Sequence, residues 1–326
     1  MRHQPARARL AVVAAVGLVT GCGAAGSGES TVTSVPVTTS TTQAVTTTTT
    51  STTTTMGETT TTTPETTTTA TETSTTVAGG EAVVVGAAGV LGWWDGNGWA
   101  ATGEDAPVEG GEAYQVFEMG RLVGEATGTA PAPSCEPIPE AVGVDLTPDP
   151  WQGGWGPFSP RPVAVTAPWD ATPHQVVPIN PTDEYSAAAS ELLAARGVDD
   201  PAPPFVQLLR VDLDGDGRHE VLGVIERRTG GGEGLNPAPA GDYSLAFAMV
   251  DGATAVLDEW IVEEQPEGWI QDLVVFRINA VLDADGDGVD EIALGGSYYE
   301  GWGESLWDWQ GPAGGFEAVA GTGCGV

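Results

Sequence analysis

The chain is 326 residues long and sets 45 Asp and Glu against 11 Arg, with no Lys, for a formal net charge of −34. An excess of this size excludes a nucleic-acid partner, whose phosphates need a basic face. It also excludes electrostatic docking on anionic lipid, and it favours solubility and cation binding.

The first residues, MRHQPARARLAVVAAVGLVTGC, have the three parts of an export signal. Arg2, Arg7 and Arg9 make a positive start, and Leu10 to Val19 form an apolar run too short to span a bilayer as a stable helix. Small residues and Cys22 follow. The run Val19-Thr20-Gly21-Cys22 resembles the lipobox of bacterial lipoproteins. That resemblance implies that residues 1–21 are a signal peptide and that Cys22 is lipidated and becomes the mature N-terminus. The protein is then exported and lipid-anchored to the cell membrane on its extracellular face. The alternative is an ordinary cleaved signal with a chance cysteine. Arginines but no acids precede Cys22, so processing leaves the chain more acidic still.

Residues 22–79 carry the lipid cysteine and a linker that is largely Thr from Ser30 to about Val77. Such a stretch cannot bury a core and is expected to stay disordered, a tether that lifts the rest off the membrane.

The folded part begins near Gly80 and falls into two regions, 80–175 and 176–326. The first is a Gly-, Pro- and Trp-rich β lobe; the second is a helix plus β region with two acidic loops. Most apolar runs are short and read as strands: Ala82–Leu91, Tyr114–Glu118, Val163–Thr166, Phe205–Val211, Val221–Glu226, Tyr243–Val250, Ala255–Val262, Ile270–Val281, Glu291–Gly295 and Ser305–Trp309. Asp251-Gly252 and Glu118-Met119-Gly120-Arg121 are hairpin turns, and WDGNGW at Trp94–Trp99 is a third. One helix is predicted. Thr182, Asp183 and Glu184 supply its cap and first-turn acids, alanines and leucines its apolar face, and Gly197 its end. The fold class is therefore mainly β with one short helix.

Two stretches concentrate carboxylates, VDLDGDGRHEV from Val211 and VLDADGDGVDEI from Val281. Counted from the first aspartate, oxygens fall at positions 1, 3, 5 and 9. These are Asp212, Asp214, Asp216 and Glu220 in one loop, and Asp283, Asp285, Asp287 and Glu291 in the other. The backbone carbonyls of Arg218 and Val289 serve position 7, and Gly217 and Gly288 stand where a sharp turn needs positive φ. Calcium takes six to eight oxygens at about 2.3–2.6 Å, and carboxylates at every second residue can curl around it. Position 12, which an EF-hand fills with Glu, is Gly223 in one loop and Leu294 in the other, and both flanks are strand-like. The unit is strand–calcium loop–strand. The alternative is a pair of bare acidic turns.

DLDGDGRHEVLGV and DADGDGVDEIALGG resemble the calcium loops of FG-GAP/VCBS repeats, found in integrin α-type β-propellers and in secreted bacterial proteins. Both match the family's D-x-[DN]-G-D-G-x-x-[DE] pattern. The resemblance spans roughly residues 205–320. It implies that the residues just named are calcium ligands inside blade-like hairpins. Only two such loops are clear, whereas a closed propeller has about four to eight blades. The expectation is a compact β domain with propeller-blade-like hairpins and not a full propeller. The C-terminal run from Gly295 also resembles the ends of uncharacterised exported actinobacterial proteins with such loops, a likeness that carries no activity.

Three cysteines are present. With Cys22 lipidated, Cys135 and Cys324 form an even pair, and the exported setting permits a disulfide. Two free thiols are the alternative. The 11 tryptophans cluster around Trp93, Trp94 and Trp99, around Trp151 and Trp155, and around Trp302, Trp307 and Trp309. They either plug the core or stack on sugars, and the core is favoured for most. His219 should face solvent, and GGGEGLN at Gly230 is a flexible loop with no helix after it to receive a phosphate. No catalytic motif is recognisable, so the chain is not read as an enzyme. The leading expectation is a calcium-stabilised, non-catalytic binding or adhesion module at the cell surface. Its partners would be a cell-wall or extracellular glycan or protein. A carbohydrate-active enzyme or its accessory carbohydrate-binding domain, and a structural envelope protein, are the alternatives.

Overall fold

The computed structural model describes residues 80–101, 106–135, 141–152, 156, 158–230, 237–264, 266 and 271–325. The predicted signal peptide, Cys22 and the Thr-rich linker lie outside the described residues, as do Trp155 and the GGGEGLN stretch beyond Gly230.

The described residues are mainly β and form four antiparallel sheets. Ala82–Gly86 (β1) and Gly89–Trp94 (β2) are two paired strands where the sequence predicts one. The reversal falls at Gly89, whose φ of +128° and approach to the Val142 carbonyl leave no room for a side chain. All five residues of β1 are buried because both faces of the sheet are covered, so the run reads as continuously apolar and hides the turn. Trp99–Ala101 (β3), Ala113–Glu118 (β4) and Arg121–Gly128 (β5) follow. After them come the short Ala132–Pro133 (β6), Val142–Gly143 (β7), Leu146–Thr147 (β8) and Val163–Val165 (β9). The first sheet has the order β3-β2-β1-β9-β4-β5-β8, and β6 pairs with β7 alone. The β4–β5 turn is at Met119-Gly120, both with positive φ, and β2 meets β3 through the WDGNGW turn, as the sequence predicts.

Val176–Pro178 (β10) leads to the helix Asp183–Ala194 (α1). Thr182 caps α1 by accepting the Tyr185 N–H, and Gly197 ends it at φ +79°. A five-stranded sheet follows, β10 beside Phe205–Val211 (β11), Glu220–Arg227 (β12), Tyr243–Val250 (β13) and Ala253–Ile261 (β14). The last sheet is a four-stranded meander of Val275–Leu282 (β15), Glu291–Tyr298 (β16), Gly301–Trp309 (β17) and Phe316–Gly325 (β18). A one-turn helix, Gly311–Gly314 (α2), precedes β18. The sequence predicts neither α2 nor β18, because Gly, Pro and small residues dominate both.

The four-stranded sheet is the middle layer. On one side Ala280, Leu282, Ala293 and Leu306 pack against Ala82, Val84, Leu91 and Phe117 of the first sheet. On the other, Ile278, Val281, Ile292 and Leu294 pack against Leu209, Val211, Leu222 and Ala246 of the five-stranded sheet. A register shift between Ile278 and Ala280 lets even-numbered residues of β15 serve both faces in turn. The outer face of the five-stranded sheet is closed by α1 through Ala189 and Leu193. In the first sheet, Val83, Val85, Val90 and Val116 pack on the outer side with Val108, Val144 and the β8 residue Leu146. Cys135 and Cys324 form the anticipated disulfide, tying β18 to the segment after β6. No helix among the described residues is long and apolar enough to cross a membrane.

Candidate metal centres

Each acidic loop joins the first two strands of a meander, β11 to β12 and β15 to β16. Three of their hydrogen bonds correspond position by position, whereas the first aspartates differ, Asp212 Oδ2 accepting from Gly217 N–H and Asp283 Oδ1 from Gly286 N–H. Leu213 N–H donates to Glu220 Oε2 at 2.9 Å, and Ala284 N–H to Glu291 Oε2 at 2.6 Å. Asp216 N–H donates to Asp214 Oδ1, and Asp287 N–H to Asp285 Oδ1. Arg218 N–H donates to Asp216 Oδ1 at 2.6 Å, and Val289 N–H to Asp287 Oδ1 at 2.7 Å. Gly215 and Gly217 have φ of +69° and +84°, Gly286 and Gly288 +78° and +87°. Only glycine adopts such a pair of conformations without strain, and the paired left-handed bends turn alternate side chains inward.

The bends bring the three aspartates of each loop together. In both triads, Asp212, Asp214, Asp216 and Asp283, Asp285, Asp287, one carboxylate oxygen from each residue lies within 4.8 Å of the others. Asp212 Oδ1 is buried and accepts no hydrogen bond, and neither does Glu291 Oε1, on a side chain that is 0 % exposed. A buried carboxylate oxygen without a proton donor is costly, and a cation is the group that relieves it. The donors are hard oxygens, few enough residues apart to share one ion, and two acidic triads could each hold a metal ion. Burial pushes the Glu291 carboxyl well above the usual range, with the Asp285 charge adding to it, and pushes Glu220 up as well. Asp285 rises to about 7, first by burial and then by the Asp287 charge. These are carboxylates held ready for a positive charge.

The loops differ in depth. Asp214 and Asp216 are exposed, whereas Asp285 is buried and Asp283 half-buried. They also touch through residues that the sequence does not flag. Asp290 N–H donates to the Leu213 carbonyl at 2.7 Å. His174 N–H donates to Asp290 Oδ2 at 3.0 Å, and His174 Nδ1 lies 3.4 Å from the same oxygen. The strap around His174 is held at both loops, Asp212 N–H donating to the Gln175 carbonyl and Asp283 N–H to Ala171. Trp169 Nε1 donates to the Asp283 carbonyl. The strap carries no acidic repeat, so only its fold places it here. His219 faces solvent, as expected.

Most described tryptophans line the cores. Trp94, Trp99 and Trp169 border the first interlayer core, Trp260 and Trp307 the second, and Trp93 and Trp151 the outer one. Trp309 is buried against Phe316. Trp302 is the exposed one among the described residues, with Arg161 stacked 5.6 Å from its ring centre.

No protein-family model, curated protein or solved structure matches the chain. The likeness of the two loops to calcium-binding repeats therefore rests on their own residues.

Proposed function

We propose that the protein is a calcium-stabilised, non-catalytic binding module, held at the outer face of a cell by a lipid on Cys22 and a Thr-rich tether. The observation that carries the calcium reading is a buried, undonated ligand oxygen in each loop, Asp212 Oδ1 at the first position of one and Glu291 Oε1 at the ninth of the other. Asp212, Asp214, Asp216 and Glu220 hold one ion with the Arg218 carbonyl. Asp283, Asp285, Asp287 and Glu291 hold the other with the Val289 carbonyl. Each ion supplies the positive charge that lets adjacent strands tolerate four acids.

The meanders β11–β14 and β15–β18, each with its loop between the first and second strands, support a blade-like reading of the two units. Closure into a ring is not part of it: α1 covers one outer face of the stack, and Val108 and Val144 pack on the other.

A second reading, a carbohydrate-binding domain or the enzyme it serves, is favoured by one feature. Trp302 and Tyr299 are exposed at 38 % and 64 %, on and next to β17. Metal content after dialysis against calcium tests the first reading, and two ions per chain is the expected result. A glycan array on the purified protein, with and without chelator, separates a sugar ligand from a protein one. Turnover of chromogenic glycosides that disappears on changing one acid pair would replace the non-catalytic reading.

A further inference from the structure

The two loops differ in one acid that lies outside the motif. In the register of β16 on β17, Ile292 stands opposite Trp307, and both border the second interlayer core. One step along the same register sets Asp308 beside Glu291, on the same face of the sheet and next to the second loop. The charge of Asp308 acts on both Asp285 and Glu291. Its Oδ2 accepts from Gln310 Nε2 at 2.5 Å, which fixes the carboxylate there. In the first loop the corresponding neighbour of Glu220 is Val250, since Val221 stands opposite Met249 on β13. The first loop also carries a cation of its own, Arg218, whose Nη1 lies 3.2 Å from Asp251 Oδ1 and whose Nε lies 3.8 Å from Asp216 Oδ2.

We infer that Asp308 is a fifth acid of the second centre and makes it the tighter of two unequal calcium sites, filled before the first. The inference rests on the calcium reading above and deepens it. The second independent observation is Glu291 Oε1, unpartnered on a fully buried side chain beside Asp308. Affinity of an oxygen site rises with the number of carboxylate charges and with rigidity, and the second loop leads in both. The first, more exposed and partly neutralised by Arg218, is left as the site whose occupancy follows the surrounding calcium concentration.

Isothermal calorimetry of calcium binding to the purified chain reads this directly. Two steps about tenfold or more apart are expected. Asp216→Ala, at a position the motif fixes as Asp, should abolish the weak step and spare the tight one. Asp308→Asn should weaken the tight step about tenfold while the weak step stays in place. Val250→Asp should strengthen the weak step, and it decides the matter if circular dichroism shows that Asp308→Asn does not fold. Two equal steps, a tight step lost with Asp216→Ala, a tight step unmoved by Asp308→Asn, or a weak step unmoved by Val250→Asp each overturn the inference. A wild-type chain that takes up no calcium is a separate result: it removes the calcium reading itself.

Discussion

The N–H of Asp290, in the second acidic loop, donates to the carbonyl oxygen of Leu213, in the first, at 2.7 Å. Leu213 is also the residue whose N–H holds Glu220, and Asp290 adjoins Glu291. The two loops thus share one peptide-to-peptide contact, made where the five-stranded and four-stranded sheets meet. Loss of order in either loop is transmitted to the seam between sheets. Removing calcium should therefore destabilise the whole folded part and not just two turns. Each site at calcium a hundredfold above its dissociation constant contributes about 2.7 kcal/mol, and about 2–4 °C accompanies each kcal/mol at this size. Differential scanning fluorimetry should show a single transition falling by about 10–20 °C in chelator. A midpoint that ignores chelator removes the claim.

Gly217 isolates the conformational part of the same site. Its φ is +84°, and a β-carbon there would meet nothing within 4 Å, so Gly217→Ala introduces backbone strain without a clash. The expected cost is about 1 kcal/mol, measured by urea unfolding in chelator, together with weaker calcium binding at the first loop. Unchanged stability would mean that the bend is not fixed before the ion arrives.

The loops, most strands and α1 are legible in the sequence because each has a local signature. Alternate carboxylates with glycines, apolar runs of strand length, and a Thr cap with first-turn acids all act within a few residues. The rest depends on distant partners. β1 and β2 merge in the sequence because the covered faces make Ala82 to Leu91 uniformly apolar. β18 is a run of small residues that becomes a strand only by pairing with β17 and packing Ala320 on the first sheet. Asp308 and Asp290 look like ordinary surface acids until strand register and the Leu213 contact place them. The sequence favours a core place for most tryptophans and most take one, but it does not single out Trp302, since a ring at a core margin and a ring on a surface occur in the same Gly-rich context.

The disulfide closes a separation of 189 residues between Cys135 and Cys324. A loop that long should contribute about 2–5 kcal/mol, mainly by restricting the unfolded chain. The double variant Cys135→Ser with Cys324→Ser should keep the fold, because β18 retains its β17 pairing, yet unfold at lower urea by that amount. Cys135 is buried, so mild reductant on the native protein should act slowly. Equal urea midpoints for the variant and the wild type would contradict this assignment of the bond's effect.

Arg277 on β15 and Glu226 on β12 pair across the seam of the two sheets at 2.6 Å, both nearly fully buried. Arg228 binds the other Glu226 oxygen, and Arg277 also donates to the Phe158 carbonyl. Glu226→Gln keeps the shape but leaves a buried guanidinium without its counter-charge. The loss should be about 3–5 kcal/mol, the range for breaking a buried pair from one side. Replacing both residues, Glu226→Gln with Arg277→Met, should recover part of it. Additive losses in that double variant would show that the two side chains act separately.

Asp258 gives the fold an acid-side gain. It stands opposite Ala246 on the edge strand β14, with a side chain directed toward the apolar face that carries Leu257. A charge pointing inward on an edge strand discourages pairing with another chain. Burial, with the Glu259 charge adding to it, raises the carboxyl from 3.8 to about 6, against the Glu259 N–H that favours the charged form. The fold thus binds a proton that the unfolded chain releases between these two values. The contribution of Asp258 is most favourable below pH 3.8, declines as pH rises through about 6, and is a constant cost above that. Discounted for partial exposure, the cost at neutral pH is about 1–2 kcal/mol. Asp258→Asn keeps the acceptor for Glu259 and removes the charge. At pH 7.5 with calcium it should melt about 2–8 °C higher than the wild type, and near pH 4 the two should coincide. A stabilisation that persists unchanged at pH 4 would place its origin in packing and not in the carboxylate. Any gain should also come with easier self-association at high concentration, because the same substitution removes the charge that guards β14.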